Sequence, residues 1–334
     1  MTALLIEERI SADQLVGDLQ ANVGDMFAKV IPPGPVALVD FPDHSNVGDS
    51  AIWLGEMAWL DDMGRTPVYS AALNNFAVGE LVQHAPDGPI LIHGGGNFGT
   101  TWPKHEALRL HLLREFPGRT IIQMPQSIHY ENDASTREMA EAVRAHGAFT
   151  LLVRDARSLE FAQSHFDCDV RLCPDAALYL GRFQRALPKA DILALLRTDH
   201  ERVTDTAVPP PGTIVTDWLE ESSAERNLMR ARVKIDSLLA SSRQGKRLRR
   251  YRMLALWRLR RGLAMLSQGR MVVTDRLHAH ILSVLLDIPQ VVLDNNYGKV
   301  SSFAAEWSRG YDGFHLATSR ADAFALAQQL IGRR

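Results

Sequence analysis

Cysteine is nearly absent from this sequence of 334 residues, which contains only Cys168 and Cys173. They lie in FDCDVRLCPD, a spacing that matches neither a CxxC redox motif nor a set of zinc ligands. We therefore expect two reduced thiols in or near the core. No other cluster of metal ligands is visible in the sequence, so neither a metal site nor a cofactor is predicted.

Long apolar runs and a strong charge imbalance are also missing. No stretch approaches the roughly 18 to 20 apolar residues needed to span a bilayer. The N-terminus, MTALLIEERISADQLVGDLQ, lacks the basic start and apolar middle of a signal peptide. The formal charge of −2 indicates no particular partner, and nucleic acid is not expected. These features predict a cytoplasmic protein.

The sequence does contain a regular alternation of apolar strands and helical segments. VALVDF, GPILIHGGGNFG and RTIIQMPQS are predicted strands, each followed by polar or glycine residues and a helix. A second series begins at ADILALLRTD. This rhythm predicts an α/β protein with two Rossmann-like domains, residues 1–185 and 186–334, facing a cleft. The final helix, SRADAFALAQQLIGRR, is a candidate for packing back on the N-terminal domain.

Functional residues are expected at the carboxyl ends of strands, where open parallel sheets bind ligands. In MVVTDRLHAHILSVLLD, four ionisable residues follow a predicted strand. Asp275 is a predicted N-cap, Arg276 offers a charged fork for carboxylate or phosphate, and His278 can change protonation near neutral pH. The alternative is that Arg276 pairs with Asp275 or a neighbouring acid and that the histidines are structural. His280 receives no role.

A second strand-to-helix junction, VVLDNNYGKVSSF, contains Lys299, Ser301 and Ser302 next to Gly298. A helix start with a cation and two hydroxyls suits an anion, although GxxxxGK[ST] is absent and this is no P-loop. The alternative is a capped helix with a solvated lysine. Arg197 ends the first strand of the second series, which makes it either a ligand-binding cation or a surface charge.

Glycines follow another strand in LIHGGGNFG. Gly94, Gly95, Gly96 and Asn97 could form a backbone nest for an anion or a sugar oxygen. The spacing is not GxGxxG, which argues against a dinucleotide site. The alternative is a tight turn that binds nothing.

The stretch DFPDHSNVGDSAIW also leads from a strand into a helix. Its His44, Asn46, Gly48 and Asp49 should therefore lie at the same rim as the glycines. Asp49 is either a general base for a hydroxyl or the N-cap of the helix.

No acidic residue occurs between Ser241 and Thr274, although arginines are frequent there. Within Arg243 to Arg261, leucines and a tryptophan alternate with these cations. This pattern suits a helix lying on an anionic membrane surface, which would place the protein peripherally on the inner face of the cytoplasmic membrane. The alternative is a solvated arginine-rich face whose leucines pack against the protein.

Taken in order, NVGDSAIWLGE, LIHGGGNFG, MPQSIHY, VRDARSLEF, CPDAAL and TDRLHAHILSVLLDIPQVVLDNNYGKVSSF resemble the polysaccharide pyruvyl transferase family. The resemblance implies a fold similar to GT-B glycosyltransferases, with phosphoenolpyruvate as co-substrate and pyruvyl donor. It also implies a sugar acceptor, which is often lipid-linked. The family's Arg-Leu-His segment corresponds to Arg276 and His278, and an earlier arginine corresponds to Arg197.

The resemblance implies transfer of a pyruvyl group to a sugar, with a cyclic ketal and phosphate as products. We expect the C-terminal domain to bind the donor and the N-terminal domain to bind the acceptor. In this scheme His278 is the general acid, Asp49 activates the hydroxyl, and Arg276, Arg197 and Lys299 bind the donor's anionic groups. The alternatives are a nucleotide-sugar glycosyltransferase on the same architecture and a non-catalytic carbohydrate-binding protein.

Overall fold

The structure, a computed structural model, describes residues 10–198, 207–219, 221–294 and 298–333. The chain divides into two compact units. The N-terminal unit contains Ala21–Leu180 and Leu219–Arg261, and the C-terminal unit contains the described parts of Met1–Gln20, Gly181–Trp218 and Gly262–Arg334. Each unit is built on a parallel sheet, so the predicted fold class of two Rossmann-like α/β units is confirmed.

The first half of the chain alternates helices and strands. Their order is α1 (Ala12–Val30), β1 (Ala37–Val39), α2 (Val47–Asp62), β2 (Tyr69–Ala71), α3 (Val78–His84), β3 (Ile90–Ile92), β4 (Gly95–Gly99), α4 (Pro103–Glu115), β5 (Ile121–His129), α5 (Asp133–His146), β6 (Phe149–Val153), α6 (Ala156–His165) and β7 (Asp169–Leu172). The sheet order is β2-β1-β3-β5-β6-β7, and β4 pairs with β5 outside that path.

The second half repeats the alternation. Its order is β8 (Ala190–Leu195), β9 (Ile214–Thr216), α7 (Ser223–Ser237), α8 (Arg243–Leu266), β10 (Gly269–Thr274), α9 (Leu277–Leu285), β11 (Gln290–Leu293), α10 (Lys299–Trp307), β12 (Phe314–Ala317) and α11 (Arg320–Gly332). The sheet order is β12-β11-β10-β8-β9, with every pair parallel. Every residue of β1, β2, β3 and β11 is buried, as in parallel sheets covered on both faces.

The glycine segment predicted as a loop contains a short strand, β4. Gly99 in this strand has φ of 111° and lies so close to β5 that a Cβ atom would come within 1.9 Å of the His129 carbonyl oxygen. Glycine permits both the left-handed backbone and this approach.

The two units differ from the predicted domains in three places. The final helix, α11, packs through Ala323, Phe324 and Ala327 in the core of the C-terminal sheet, rather than back on the N-terminal unit. At the other end of the chain, Ile10 forms a parallel bridge with Tyr311. Residues 10–20 therefore belong to the C-terminal unit.

The third difference is residues 219–261, which belong to the N-terminal unit. Tyr251 of α8 explains this assignment because its ring stacks on Phe41, with centroids 3.9 Å apart and an interplanar angle of 8°. The Tyr251 hydroxyl also accepts from the Ala72 amide at 3.1 Å and contacts the Asn75 side chain. These contacts join residues far apart in sequence, which the local pattern did not indicate.

The cysteines and the hydrophobicity of the helices can both be compared with the sequence predictions. Cys173 is buried and Cys168 half-buried, and both are free thiols, as predicted. Burial, aided by Asp169 and Asp167, raises the pKa of Cys168 to about 12, which keeps it protonated. Among the helices of the described residues, none has both the length and the hydrophobicity that crossing a bilayer demands.

Candidate active site

Each sheet contains a switch point, where successive strands are added on opposite sides of a first strand. In the N-terminal unit it lies between β1 and β3, and in the C-terminal unit between β8 and β10. The loops after two such strands diverge and leave a crevice at the carboxyl edge of the sheet, where ligands bind in this class of fold. Most of the predicted site residues lie at these two edges.

Arg276 follows β10 and is buried, with 4% of its surface exposed. Its Nη2 donates to Asp217 Oδ2 at 2.7 Å, and its guanidinium carbon lies 5.9 Å from the centroid of the Trp218 ring. Asp217 also accepts from the amide and the hydroxyl of Thr198. Arg276 therefore forms an ion pair with Asp217, which agrees with the alternative interpretation of the sequence. This pair fixes the orientation of the guanidinium at the sheet edge.

Asp275 is not the cap of the following helix, contrary to the prediction. The N-cap of α9 is Arg276, which makes no side-chain capping bond. The Asp275 carboxylate instead accepts from the Arg197 amide at 2.8 Å and lies 3.7 Å from Nη2 of Arg320. Burial raises the pKa of Asp275, although the surrounding arginines oppose the shift. This side chain joins the ends of β8 and β10, so Arg197 and Arg276 share one edge.

The two histidines of α9 lie in different environments. His278 is half-buried in the first turn, two residues from Arg276. His280 is fully buried between Gln290 Oε1 at 3.1 Å and Ser308 Oγ at 2.8 Å. Burial lowers the pKa of His280 to about 4. His280, which the sequence left without a role, is thus a neutral structural residue, and His278 remains the predicted acid.

The start of α10 differs from the predicted anion site. Its N-cap, Gly298, is left-handed with φ of 64°, and the amides of Val300 and Ser301 donate to Asp294 Oδ1 at 3.2 and 3.5 Å. The Ser301 hydroxyl donates to the Gly298 carbonyl, and Ser302 is half-buried. A carboxylate of the chain thus occupies the position predicted for a donor anion. The side chain of Lys299 lies outside the described residues.

In the N-terminal unit, Asn46 rather than Asp49 caps α2. Asn46 Oδ1 accepts from the Gly48 amide at 3.1 Å, and its Nδ2 donates to Asp49 Oδ2 at 2.7 Å. His44 Nε2 lies 3.6 Å from the same carboxylate oxygen. Burial lowers the pKa of His44, and Asp49 opposes that shift. Of the two predicted roles for Asp49, the cap is excluded and the general base stays a prediction.

The glycine segment does not form the predicted anion nest at its first residue. The Gly94 amide donates to Glu56 Oε1 at 2.9 Å, so a carboxylate already occupies that position. A Cβ atom on Gly94 would lie 2.7 Å from the Pro125 carbonyl oxygen, and Gly95 has φ of 130°. These glycines allow close packing against β5 and α2.

The rest of the segment is held by buried polar side chains. Gly96 and Asn97 are half-buried. The Asn97 amide donates to Gln126 Oε1 at 3.1 Å, and its side-chain oxygen accepts from Gln126 Nε2 at 2.8 Å and from Arg109 Nη2. Arg109 is fully buried and also donates from Nε to Gln123 at 2.7 Å. This network fixes Asn97 at the sheet edge.

Three residues of this edge were missed by sequence reasoning. Asp40 and His93 directly follow β1 and β3, and His105 Nδ1 lies 2.7 Å from Asp40 Oδ2. Asp40 has φ of 70°, a left-handed conformation that is uncommon for aspartate and costs energy. Their position at strand ends beside the switch point was a usable signal, but VALVDF and LIHGGG were interpreted through their apolar and glycine residues.

His93 is buried with 2% exposure, and its Nδ1 lies 2.9 Å from Glu56 Oε2. Burial opposes its charged form, but Glu56, Asp40 and Asp49 together raise the pKa of His93 above its ordinary value. Among the described residues, the buried His93 Nε2 and Asp40 Oδ1 atoms have no hydrogen-bond partner. An unpaired buried polar atom calls for an explanation, and a catalytic role is one such explanation.

The predicted membrane-binding segment of α8 is covered by the N-terminal unit. Leu248, Leu254 and Leu259 are buried. Arg252 forms a bidentate pair with Asp61, and other arginines pair with Glu80, Asp43 and Glu221. These three leucines therefore face protein and are not available to contact lipid, whereas Leu256 of the same segment is 40% exposed.

The two sheet edges carry different charges. Asp40, Asp49 and Glu56 lie at the edge of the N-terminal sheet. Arg197, Arg276 and Arg320 lie around Asp275 at the edge of the C-terminal sheet, where Asp217 pairs with Arg276, so three cations accompany two carboxylates. The first suits a neutral, hydroxyl-rich ligand and the second a small anion. In the part of the chain that the structure describes, no three His, Cys, Asp or Glu side chains form a group that could hold a metal ion.

Two parallel α/β units with polar clusters at their switch points are consistent with the GT-B-like class of two-domain folds. A solved structure supports the fold: a functionally uncharacterized protein of Klebsiella pneumoniae, 15% identical, superposes with a TM-score of 0.58 over 90% of this chain and 99% of that one.

The family model for polysaccharide pyruvyl transferases matches residues 46–297. Pyruvyl transferase 1 of Schizosaccharomyces pombe is 34% identical over 314 residues, which cover 86% of this chain and 73% of that protein. EpsO of Bacillus subtilis is 28% identical over 297 residues, which cover 86% of this chain and 90% of that protein. The chain belongs to the polysaccharide pyruvyl transferase family, and the prediction of a pyruvyltransferase enzyme is confirmed.

Proposed function

We propose that this enzyme transfers a pyruvyl group from phosphoenolpyruvate to hydroxyls of a sugar in a polysaccharide or lipid-linked oligosaccharide. The products are a cyclic pyruvate ketal and phosphate. The observation that best supports the proposal is the charge difference between the two sheet edges. Phosphoenolpyruvate carries a carboxylate and a phosphate, whereas a sugar offers neutral hydroxyls.

The donor is assigned to the C-terminal edge. In this proposal Arg276, which Asp217 orients, and Arg197, whose backbone amide donates to Asp275, bind the carboxylate and phosphate. Lys299, Ser301 and Ser302 remain proposed donor ligands. A phosphate at the start of α10 would have to displace the Asp294 carboxylate from its amides, so we assign these residues a supporting role.

The chemistry needs one proton donor and one proton acceptor. His278 protonates the methylene carbon of the donor while a sugar hydroxyl, deprotonated by Asp49, forms a bond to C2. The bond from C2 to the phosphate oxygen then breaks, and phosphate leaves with the electron pair. A second hydroxyl bonds to C2 and gives its proton to His278, which the first step left unprotonated. Asp49 suits the base because Asn46 holds it beside His44 at the acidic edge.

The test is incubation with phosphoenolpyruvate and a panel of free and lipid-linked glycans, followed by mass spectrometry and a phosphate assay. We expect acceptor-dependent phosphate release and a glycan mass increase of one pyruvate less water. His278→Ala should lower the rate about 100-fold or more. His315→Ala, at a half-buried histidine of the same unit, should leave it unchanged. Thermal protection by a nucleotide sugar but not by phosphoenolpyruvate would overturn the proposal.

Arg276 requires a stability control because its partner Asp217 is also buried. Arg276→Ala should destabilise the fold by about 3 kcal/mol, since it leaves a buried carboxylate without its cation. The double variant Arg276→Met with Asp217→Asn removes both charges and should recover most of the stability in urea denaturation. If the double variant also recovers turnover, Arg276 is structural and not a donor ligand.

A further inference from the structure

The N-terminal unit carries a helical hairpin that the proposed reaction does not use. It consists of α7, the turn at residues 238–242 and the first half of α8. An ion pair between Asp236 and Arg249, with Nη2 to Oδ1 at 2.9 Å, joins the two helices near the turn. We call residues 238–242 the hairpin tip.

One face of this hairpin is apolar and exposed. Leu228 and Ile235 are spaced seven residues apart, which places them on one side of α7, and Leu239 follows in the hairpin tip. They are 57%, 69% and 75% exposed, and Leu238 at the tip is 69% exposed. Val233, on another side of the helix, is only 3% exposed. Helix α7 thus packs through one side and presents large aliphatic side chains from the other.

The same hairpin is strongly basic. Residues 226–250 contain nine arginines and lysines and a single acid, Asp236, which Arg249 neutralises. Seven of these cations are exposed: Arg230, Arg232, Lys234, Arg243, Lys246, Arg249 and Arg250. Of these, Arg243, Arg249 and Arg250 also pair with Glu80, Asp236 and Asp43. Exposed leucines flanked by lysine and arginine are typical of helices that lie in the interface of an anionic bilayer. There the side-chain carbons enter the boundary of the acyl chains and the cations contact headgroup phosphates.

We propose that the α7–α8 hairpin docks on an anionic lipid surface, with the tip and Ile235 inserted and the exposed cations at the headgroups. This surface shares Lys246 and Arg250 with the one predicted on the sequence at Arg243 to Arg261. It differs in its apolar part, because Leu248, Leu254 and Leu259 of that segment are buried. A second copy of the chain fits less well, because a two-fold interface through this face would bring two basic patches together. The inference is independent of the proposed reaction, because its test measures binding.

The test is co-sedimentation of the full chain with vesicles of phosphatidylcholine alone and of phosphatidylcholine mixed with phosphatidylglycerol, at low and high salt. We expect binding only to the anionic vesicles and a fall of about tenfold or more when salt screens the cations. Leu238→Ser with Leu239→Ser should lower the partition coefficient about tenfold or more, because two exposed apolar side chains leave the interface. Both positions are exposed, so the fold should be retained.

Two matched variants complete the design. Leu187→Ser, at a leucine 90% exposed in the other unit, makes the same chemical change and should bind vesicles as the original chain does. Arg230→Glu with Arg232→Glu should remove the preference for anionic vesicles without touching a leucine. Equal vesicle binding by the original chain and the tip variant would overturn the proposal. So would binding that ignores lipid charge, or a dimer that the tip variant converts to monomer.

Discussion

His280 shows at the scale of one residue how burial decides what a histidine can do. Its ring is fully buried and contacts Gln290 and Ser308, and its pKa falls to about 4 because water is excluded from the charged form. His278, two residues earlier, is half-buried beside Arg276. Of these two histidines, only His278 has the access that proton transfer to a ligand requires.

The lowered pKa of His280 predicts an acid-sensitive contribution to stability. His280 has a pKa of 6.5 in the unfolded chain and of about 4 in the folded chain, so the unfolded chain takes up its proton at a higher pH. The contribution of this residue to the free energy of unfolding is therefore present above pH 6.5 and is lost as the pH falls from 6.5 towards 4. We expect a loss of about 2 kcal/mol between about pH 7 and pH 5 from this group. Urea denaturation of His280→Gln should show a shallower fall over that range. An unchanged pH dependence would contradict the assignment.

Sequence reasoning located the strand-to-helix junctions better than it assigned individual side chains. Asp275 and Asp49 were both placed correctly at strand-to-helix junctions, but neither caps its helix. Each carboxylate turns to a partner instead: the Arg197 amide for Asp275 and the Asn46 side chain for Asp49. Such choices depend on neighbouring strands and loops, and a local pattern does not contain that information.

At the scale of elements, α8 shows that an amphipathic basic helix can pack its apolar side on either of two kinds of surface. Its leucines suit a membrane or a protein surface equally well, and the sequence pattern does not distinguish them. In the structure, Tyr251 stacks on Phe41 and lies edge-on to Trp53, with ring centroids 6.4 Å apart. The partner is therefore the N-terminal unit, some 200 positions away along the chain for Phe41 and Trp53.

This packing predicts a large difference between two positions of α8. Tyr251 is 1% exposed, so Tyr251→Ala should lower the free energy of unfolding by about 3 to 5 kcal/mol through the cavity it leaves. Leu256 on the same helix is 40% exposed, and Leu256→Ala should cost less than about 1 kcal/mol. Chemical denaturation of both variants measures the contrast. Equal losses would mean that α8 does not pack through Tyr251.

At the scale of the whole molecule, the proposed function divides donor and acceptor binding between the two sheets. The acidic edge follows β1 and β3, and the basic edge follows β8 and β10. The alternation of strands and helices was enough to predict both sheets. The sequence could not predict that residues 219–261 belong to the N-terminal unit, because this depends on contacts between distant segments.

This division predicts that donor and acceptor binding can be lost separately. Phosphoenolpyruvate at about 100 times its Kd should stabilise the original chain by about 2.7 kcal/mol. Arg197→Gln should abolish that thermal shift. Asp40→Asn should preserve it, because asparagine tolerates the left-handed backbone at this position, but should raise the acceptor KM about tenfold or more. Loss of donor protection in both variants would argue against separate sites.

Residues 219–261 of the N-terminal unit are synthesised well after the rest of that unit. All seven strands of that unit's sheet have been translated by Leu172, but Tyr251, which stacks on Phe41, comes about 80 residues later. At a translation rate of about 5 to 20 residues per second, Tyr251 is synthesised roughly 4 to 16 s after Leu172. Phe41 lacks its stacking partner during that time. During that interval the nascent chain presents an exposed apolar surface, which is the kind of surface that chaperones bind.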